Sequence, residues 1–404
     1  MKIAYLAPEF YPPWGGVGTY SVNLVKELSK FRNMDIHVFT PERGKDYNKK
    51  DIEKFFGNRI TIHNISKAND TFMYNFYFQY ALLKKFKEYY RKHKYDLVHS
   101  ANLVHMPDIF LKFGKQPYPS VVTGHTTIRG QVAGFLQSNK NFFKMAPSEK
   151  GSIVLYPLIN QLEKIYLKNT PNLISPSKKF AKIFKEKGYK GRIEVINYGI
   201  DTDLFNYKKI RNPYEKFPQF KNIDKTKILY AGRLISQKGI DIFVRLMHEL
   251  IEEKRNVHFI IAGQGDEKNL FRLIRDYNIP KESYTFLGFV QNHDLPGLYK
   301  LSDIFVLPSY YENFPISLME AMSMRCVCIA TDVGAVTELI EDSRNGIVAE
   351  AGDLLSIKRS IYKLIDNTTL RIRLAKKGEN KIKKELTNKQ MAHKTKKFYN
   401  EMIK

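Results

Sequence analysis

Cysteine is nearly absent: the 404 residues hold two, Cys326 and Cys328. They stand two positions apart on an apolar run that reads as a strand, so they share a face at roughly 7 Å separation. That is too far for them to bond each other, and a reducing, cytoplasmic setting fits best. Long apolar runs are missing too, since nothing reaches the ~18 uninterrupted residues expected of a membrane span. The opening stretch, Met1 to Phe10, has an apolar run too short for a secretory leader and reads as a first β-strand. No low-complexity block suggests disorder. The Walker A, Cys-x-x-Cys, His-Glu-x-x-His and Gly-x-Ser-x-Gly patterns are absent. So are zinc-finger spacing, an RNP-like segment and a basic zipper, and no nucleic-acid partner is expected.

Acidic residues are few beside basic ones, 41 against 66, which leaves a formal net charge of +25. A surface of that sign suits polyanions: nucleic acid, anionic lipid or a phosphorylated substrate. The excess is largely Lys and is spread through the chain, with denser runs at 84–94, 178–190 and 376–404. The first run mixes Lys with Phe86, Tyr89 and Tyr90. That pattern fits a helix resting on anionic headgroups, or an ordinary surface helix with its aromatics turned inward.

What the chain does have is a regular alternation of short apolar strands and helical patterns, the mark of parallel α/β architecture. Its length favours two domains. Strands are expected near 2–7, 35–40, 59–63, 96–99, 119–124, 172–175 and 193–197, and helices near 17–31, 73–92, 152–168 and 177–187. The stretch 126–151 reads as a long loop or lid. From about 198 to 225 the pattern breaks into a proline- and charge-rich connection. A second series follows, with strands near 227–231, 257–262, 284–287, 303–307, 326–330 and 347–349. Its helices are expected near 239–253, 266–277, 294–301, 315–325, 334–341 and 353–366. Two last helical runs, 369–385 and 387–403, have no strand between them. The fold class is therefore α/β, with two doubly wound, Rossmann-like domains facing each other across a cleft.

The stretch Ser309 to Met322 organises the chemistry. It leaves an apolar strand, passes Glu312 on a loop, and enters a helix that carries Glu320. Pro315 fits the first helical turn, where its missing N–H costs nothing. Ala231-Gly-Arg-Leu-Ile-Ser-Gln-Lys-Gly239 sets Arg233 and Lys238 at the mouth of another strand, where two cations suit a diphosphate. Pro13-Trp-Gly-Gly-Val-Gly-Thr-Tyr20 follows the first strand and opens a helix, so that Gly15 and Gly16 let backbone N–H groups approach an anion. His125, in Thr-Gly-His-Thr-Thr, and His99 lie at strand ends where a proton-transfer or hydrogen-bonding role is reasonable. Gly263 and Gly265, with Gly288, would permit close backbone approach to a base. Asp201-Thr-Asp203 resembles a metal-binding pair but sits in the connection with no carboxylate cluster beside it, and reads as turn and capping chemistry.

Taken together these motifs resemble the family 4 retaining glycosyltransferases of the two-Rossmann-domain (GT-B) type. The resemblance runs nearly end to end: Gly15-Gly-Val-Gly-Thr-Tyr20, Asp96-Leu-Val-His99, Thr123-Gly-His125, Ile196-Asn-Tyr-Gly-Ile-Asp201, Ala231-Gly-Arg-x4-Lys-Gly239, Ala262-Gly-Gln-Gly265, Phe286-Leu-Gly288 and Glu312-x7-Glu320. It implies an acceptor-side domain over 1–198, joined by a final helix (387–404) that crosses back, and a donor-binding domain over 199–386. It implies that Arg233 and Lys238 hold the donor diphosphate and take up its charge, with no metal and no cofactor beyond the nucleotide sugar. Glu320 would meet the ribose hydroxyls. Glu312, Asn313, Phe314, Pro315 and Ile316 would border the transferred hexose, Gly15, Gly16 and Gly263 the rest of the donor, and His125 the reacting sugar. The implied reaction moves a hexose from a nucleotide-diphosphate sugar to a lipid-linked, glycan or small-molecule acceptor. Peripheral contact with the inner face of an anionic membrane is a further expectation. A nucleotide-sugar epimerase of the same fold and a non-catalytic basic binding protein are the alternatives. Two positions depart from the family pattern: Ala101, where a second His is common, and Tyr198, where Asn is common. Both put acceptor contacts in doubt more than donor chemistry.

Overall fold

The computed structural model describes residues 1–13, 15–44, 48–57, 59–68, 73–114, 116–137 and 147–403. The chain separates into two compact units. One comprises Met1–Ala133, Asn141–Gly199 and Asn388–Lys404, and the other Gly134–Lys140 and Ile200–Thr387.

In chain order the first run of elements is β1 (Lys2–Leu6), α1 (Gly16–Leu28), β2 (Asp35–Glu42), α2 (Lys49–Phe55), β3 (Ile60–Lys67), α3 (Tyr74–His93), β4 (Leu97–Ser100) and β5 (Ser120–Thr123). It continues with α4 (Ile128–Gln137), α5 (Pro147–Val154), α6 (Tyr156–Lys168), β6 (Asn172–Ser175), α7 (Lys178–Glu186) and β7 (Arg192–Val195). The seven strands form one parallel sheet in the order β3-β2-β1-β4-β5-β6-β7.

The second run is β8 (Thr226–Ala231), α8 (Ile240–Glu252), β9 (Val257–Ala262), α9 (Glu267–Asp276), β10 (Tyr284–Gly288), α10 (Leu295–Leu301), β11 (Ile304–Leu307), α11 (Ile316–Ser323), β12 (Val327–Thr331), α12 (Val336–Leu339), β13 (Ile347–Ala349), α13 (Leu354–Ile365) and α14 (Thr368–Glu385). Its six strands are again all parallel, in the order β10-β9-β8-β11-β12-β13. The last helix, α15 (Asn388–Ile403), belongs to the first unit. There Tyr399 is fully buried with its hydroxyl on His99 Nδ1, and Lys396 Nζ lies 4.0 Å from the centre of the Phe31 ring.

Both sheets are doubly wound, and burial explains why the strands were readable. A parallel sheet covered by helices on both faces demands near-continuous apolar strands. β9 and β12 are buried at every position. The α8 helix adds Ile240, Phe243, Val244, Leu246, Met247 and Leu250 to the core, each worth roughly 1.5–3 kcal/mol of burial. In each sheet the strand order reverses once, between β1 and β4 and between β8 and β11. At such a switch point the loops leaving the strand ends diverge and open a crevice. That brings the Gly15 loop to the crevice of the first unit, and Arg233, Lys238 and Glu312 to that of the second.

Several expectations need correction. Residues 126–151 are not one loop, because α4 and α5 occupy most of the described part, and 138–146 lie outside the described residues. Ile128, Val132 and Phe135 recur at helical spacing and are buried, a pattern hidden among Gly and Gln. The expected helix over 152–168 breaks between α5 and α6, just before Pro157. The α2 helix was not anticipated, and β3 runs on to Lys67. Cys326 and Cys328 are both buried and free, with Cys328 Sγ 3.3 Å from the Cys326 carbonyl oxygen. Asp201 forms the expected turn, its Oδ1 accepting from the Asp203 and Leu204 N–H groups. No helix among the described residues is long and apolar enough to cross a membrane.

Candidate active site

In the second unit the β8 end turns through a short 3-10 segment, Ser236–Lys238, into Gly239 and then α8. Gly239 has φ +67°, and a Cβ there would lie 1.9 Å from the Pro308 carbonyl oxygen. Only glycine lets the start of α8 press against the loop that leaves β11. The Tyr310 N–H donates to the Gln237 carbonyl at 2.8 Å and fixes the same approach. Lys238 Nζ thereby reaches Glu312 Oε1 at 2.6 Å, and Ser309 Oγ donates to the same oxygen at 2.7 Å. Glu312 is 4% exposed. Burying a carboxylate this deeply is tolerable because a cation and a hydroxyl both serve it.

The rest of the loop is held from behind. Thr331 Oγ1, at the end of β12, donates to the Ser309 carbonyl at 2.5 Å. The Ala335 N–H donates to the Asn313 carbonyl at 3.0 Å, and Gly334, with φ +55°, lies where a Cβ would be 1.8 Å from the Glu312 carbonyl oxygen. Asn313 Oδ1 is buried and has no hydrogen-bond partner among the described residues. Phe314 is buried and Ile316 opens α11. Pro315 is not in the first helical turn as expected. It caps the helix in an extended conformation (φ −72°, ψ 111°), where its missing N–H still costs nothing.

Glu320, on α11, is 8% exposed and accepts a 3.0 Å bond from Tyr299 on α10. Burial pushes its carboxyl up to about 7, and the Tyr299 bond moderates the rise. Arg233 is exposed, and its backbone carbonyl accepts from the Tyr230 hydroxyl at 3.0 Å. Gly263 has φ +148° and would place a Cβ 1.8 Å from the Gly232 carbonyl oxygen, so the turns after β8 and β9 also touch. The second unit thus assembles Lys238, Glu312, Asn313 and Ser309 within one set of strand-end turns.

In the first unit, Gly15 caps α1 in extended backbone (φ −163°) and Gly16 begins the helix, while Trp14 lies outside the described residues. His125 is fully buried, and both ring nitrogens are engaged. Nε2 meets the Ala101 carbonyl at 2.7 Å and Nδ1 meets the Tyr198 hydroxyl. Burial pulls its pKa down to about 3. The ring is therefore neutral and offers no free nitrogen, and the proton-transfer role considered for it finds no support in this geometry. His99 is similarly spent between Tyr399 and Thr123. The two departures from the family pattern, Ala101 and Tyr198, converge on this one histidine.

Sequence reading missed a second group. Glu9, three residues beyond β1, has Oε1 at 3.3 Å from the Tyr74 hydroxyl and 3.6 Å from His105 Nε2. His105 in turn lies 3.1 Å from Asn102. Burial lowers the His105 pKa and the Glu9 carboxylate opposes that shift. The available signal was a carboxylate just past the first strand, at the switch point.

Residues 14–204 match the family described as Glycosyltransferase Family 4, and residues 213–381 match Glycosyl transferases group 1. An alpha-D-kanosaminyltransferase of Streptomyces kanamyceticus is 33% identical over 38% of this chain, a match that spans 39% of that relative's length. The UDP-Gal:alpha-D-GlcNAc-diphosphoundecaprenol alpha-1,3-galactosyltransferase of Escherichia coli is 25% identical over 100% of this chain and 97% of its own. Among solved structures, sucrose-phosphate synthase of Thermosynechococcus elongatus is similar with a TM-score of 0.80, covering 100% of this chain and 99% of that one at 18% identity. That last likeness is one of fold.

The glycine contacts give a direct test of how the site is built. Gly239→Ala must move the Pro308 carbonyl and should cost about 2 kcal/mol or more in urea unfolding. Gly188→Ala has a similar φ (+84°) but open space around the new methyl, and should cost only the backbone strain of about 1 kcal/mol. Equal losses for the two variants would contradict the contact.

Proposed function

The chain belongs to glycosyltransferase family 4, with the α/β, GT-B type of fold, and from that premise we propose that it transfers a hexose from a nucleotide-diphosphate sugar with retention of configuration and without a metal in the transfer step. The observation that carries this reading is the Lys238–Glu312–Ser309 cluster at the β8/β11 switch point, with Arg233 on the same turn. A site of cations at a strand mouth is suited to a leaving diphosphate.

In this reading the bond from the sugar's anomeric carbon to the phosphate oxygen breaks, and the acceptor oxygen bonds that carbon on the same face. The acceptor's proton passes to the departing phosphate. Lys238 and Arg233 take up the negative charge that develops, the Arg through its fork and the Lys as a point charge. Glu312 holds Lys238 in place beforehand. The unpartnered Asn313 Oδ1 is a ready acceptor for a sugar hydroxyl, since a buried acceptor left unmatched costs about 1–3 kcal/mol. Glu320 receives the ribose hydroxyls, and Gly15 and Gly16 offer backbone N–H groups at the start of α1. No observation favours an epimerase or a non-catalytic basic protein.

A lipid-linked acceptor is the class we favour. The E. coli relative is named for a diphosphoundecaprenol-linked acceptor. A surface of the first unit supports that choice. The α3 helix buries Tyr74, Phe78, Leu82 and Phe86 on one side. On the other it exposes Phe76, Tyr77, Tyr80 and Leu83, at 42–51% of their surface, beside Lys84 and Lys87. Lys84 Nζ lies over the Tyr80 ring at 4.4 Å. An apolar strip flanked by Lys on a chain of net charge +25 suits an anionic headgroup layer. The sequence had pointed to the run 84–94, but there Phe86 is buried and the exposed aromatics lie one to two turns earlier.

Three measurements test these readings. Lys238→Ala and Arg233→Ala should each lower kcat/KM for a nucleotide sugar by about 10²–10³-fold, with turnover persisting in excess chelator. Wild-type turnover in both variants would remove the diphosphate assignment, and loss in chelator restored by Mg²⁺ or Mn²⁺ would remove the metal-free one.

Donor binding should also release a proton. In the free protein Glu320 is about half protonated near pH 7, whereas ribose hydroxyls favour its carboxylate, so binding lowers its pKa and affinity rises as pH rises through about 7. Calorimetry of a nucleoside diphosphate in buffers of different ionisation enthalpy should show up to ~0.5 proton released at pH 7, and none in Glu320→Gln. An unchanged release in that variant would exclude Glu320 from the site.

Finally, the triple variant Phe76→Ser, Tyr80→Ser, Leu83→Ser should bind anionic vesicles at least about tenfold more weakly. Undiminished binding would leave α3 without a membrane role.

A further inference from the structure

The first unit holds a second chemical cluster that the transfer reaction does not use. His37 on β2, His63 on β3 and His93, the last residue of α3, bring one ring nitrogen each to within 4.8 Å of one another. Strand register places Phe39 beside His63 and Thr61 beside His37, so the two strand histidines are diagonal neighbours on the face that α3 covers. His37 lies two residues from the N-terminal edge of β2. The cluster is thus toward the opposite edge of the sheet from the Gly15 loop.

Three features go beyond chance proximity of rings. His37 Nε2 faces Asp35 Oδ1 at 3.4 Å. A carboxylate behind one imidazole nitrogen fixes the tautomer that turns the other lone pair outward, the usual support of a metal-bound histidine. That other nitrogen, Nδ1, is approached by two groups at once: His63 Nε2 at 2.9 Å and the Tyr95 hydroxyl at 2.9 Å. One in-plane lone pair serves one strong partner, so two groups compete for the His37 Nδ1 lone pair. Lastly, His93 ends a helix, where the unpaired carbonyls favour positive charge. Burial pulls all three imidazoles below their ordinary range, which leaves them neutral and able to donate lone pairs.

We propose that His37, His63 and His93 bind a divalent first-row transition ion of the zinc class, with Tyr95 bordering the fourth position. An all-imidazole set selects Zn²⁺ and its neighbours over the oxygen-seeking Mg²⁺ and Ca²⁺. Two ligands about 2.0–2.1 Å from zinc in a tetrahedron lie ~3.4 Å apart, so small ring rotations that open the 2.9 Å His37–His63 pair and draw in His93, all within 4.8 Å, would seat one shared ion. Charges around the site are Asp35 in favour and Lys2, Lys49 and Lys92 against. Lys2 is paired with Asp35 and Lys49 with Glu53, both near solvent, where water and salt screen them. The ion would staple β2 and β3 to the end of α3, a structural task separate from the donor groups of the second unit.

The test uses the full chain, stripped with chelator, dialysed, and titrated with Zn²⁺ against a chromophoric competitor and with Co²⁺. One Zn²⁺ per chain should bind, with a raised melting temperature from mass action and the strong visible absorption of four-coordinate Co²⁺. His63→Gln and His93→Gln should each weaken binding by about 100-fold or more, His93 being the half-buried position that leaves the sheet intact. The exposed His293→Gln and His393→Gln should leave it unchanged. No Zn²⁺ binding by the stripped chain, affinity unchanged in both cluster variants, or equal loss in the surface variants would overturn the proposal.

Discussion

Four turns of the second sheet meet only because the residues at their contacts have no side chain. A Cβ would fall within 2 Å of a carbonyl oxygen at Gly239, Gly263 and Gly334, and all three adopt positive φ. Those contacts join the turn after β8 to the turns after β9 and β11, and the turn after β12 to the Glu312 loop. The approach of Lys238 to Glu312 follows from that closeness. Lys238 and Glu312 are 74 residues apart in sequence, and their charged atoms are 2.6 Å apart in space.

That ion pair fixes the position of both charged groups. The side chain of Glu312 is 5% exposed and that of Lys238 21%. Removing one partner of a buried pair leaves the other charge uncompensated, at a cost of several kcal/mol, whereas the intact pair contributes little net stability. Its value lies elsewhere. A free lysine must give up roughly 2 kcal/mol of rotamer freedom to hold a phosphate. Here Glu312, itself held by Ser309, has already ordered the ammonium group, so in the proposed reading an arriving anion would meet a cation in position.

Much of this was legible in the sequence, for a physical reason. Strands buried on both faces leave unbroken apolar runs, and β9 and β12 could be read from their residues alone. Arg233, Lys238 and Glu312 could be placed in strand-end turns because they follow such runs, and Glu320 on the helix after them. Legibility ended where contacts depend on the third dimension. Nothing near His125 in sequence says that Ala101 and Tyr198 will occupy both its nitrogens, and nothing near Glu9 announces Tyr74 or His105. Similarly, α4 hid its buried Ile128, Val132 and Phe135 among residues that favour loops, because tertiary burial outweighs local propensity.

The two histidine sets of the first unit differ in how many partners each ring nitrogen has. His99 and His125 each have one partner per nitrogen: a tyrosine hydroxyl on Nδ1, and Thr123 or the Ala101 carbonyl on Nε2. Every donor there has an acceptor, so the set is closed and adds rigidity. The Tyr198 side chain completes that closure, while position 101 contributes only its backbone carbonyl. At His37 one nitrogen has two partners, because Nδ1 faces both an imidazole nitrogen and a phenol while Asp35 stands behind Nε2. Burial makes both sets neutral, so charge does not distinguish them. The difference is that the His37, His63 and His93 nitrogens gather within 4.8 Å of one another, an arrangement that one shared cation would satisfy.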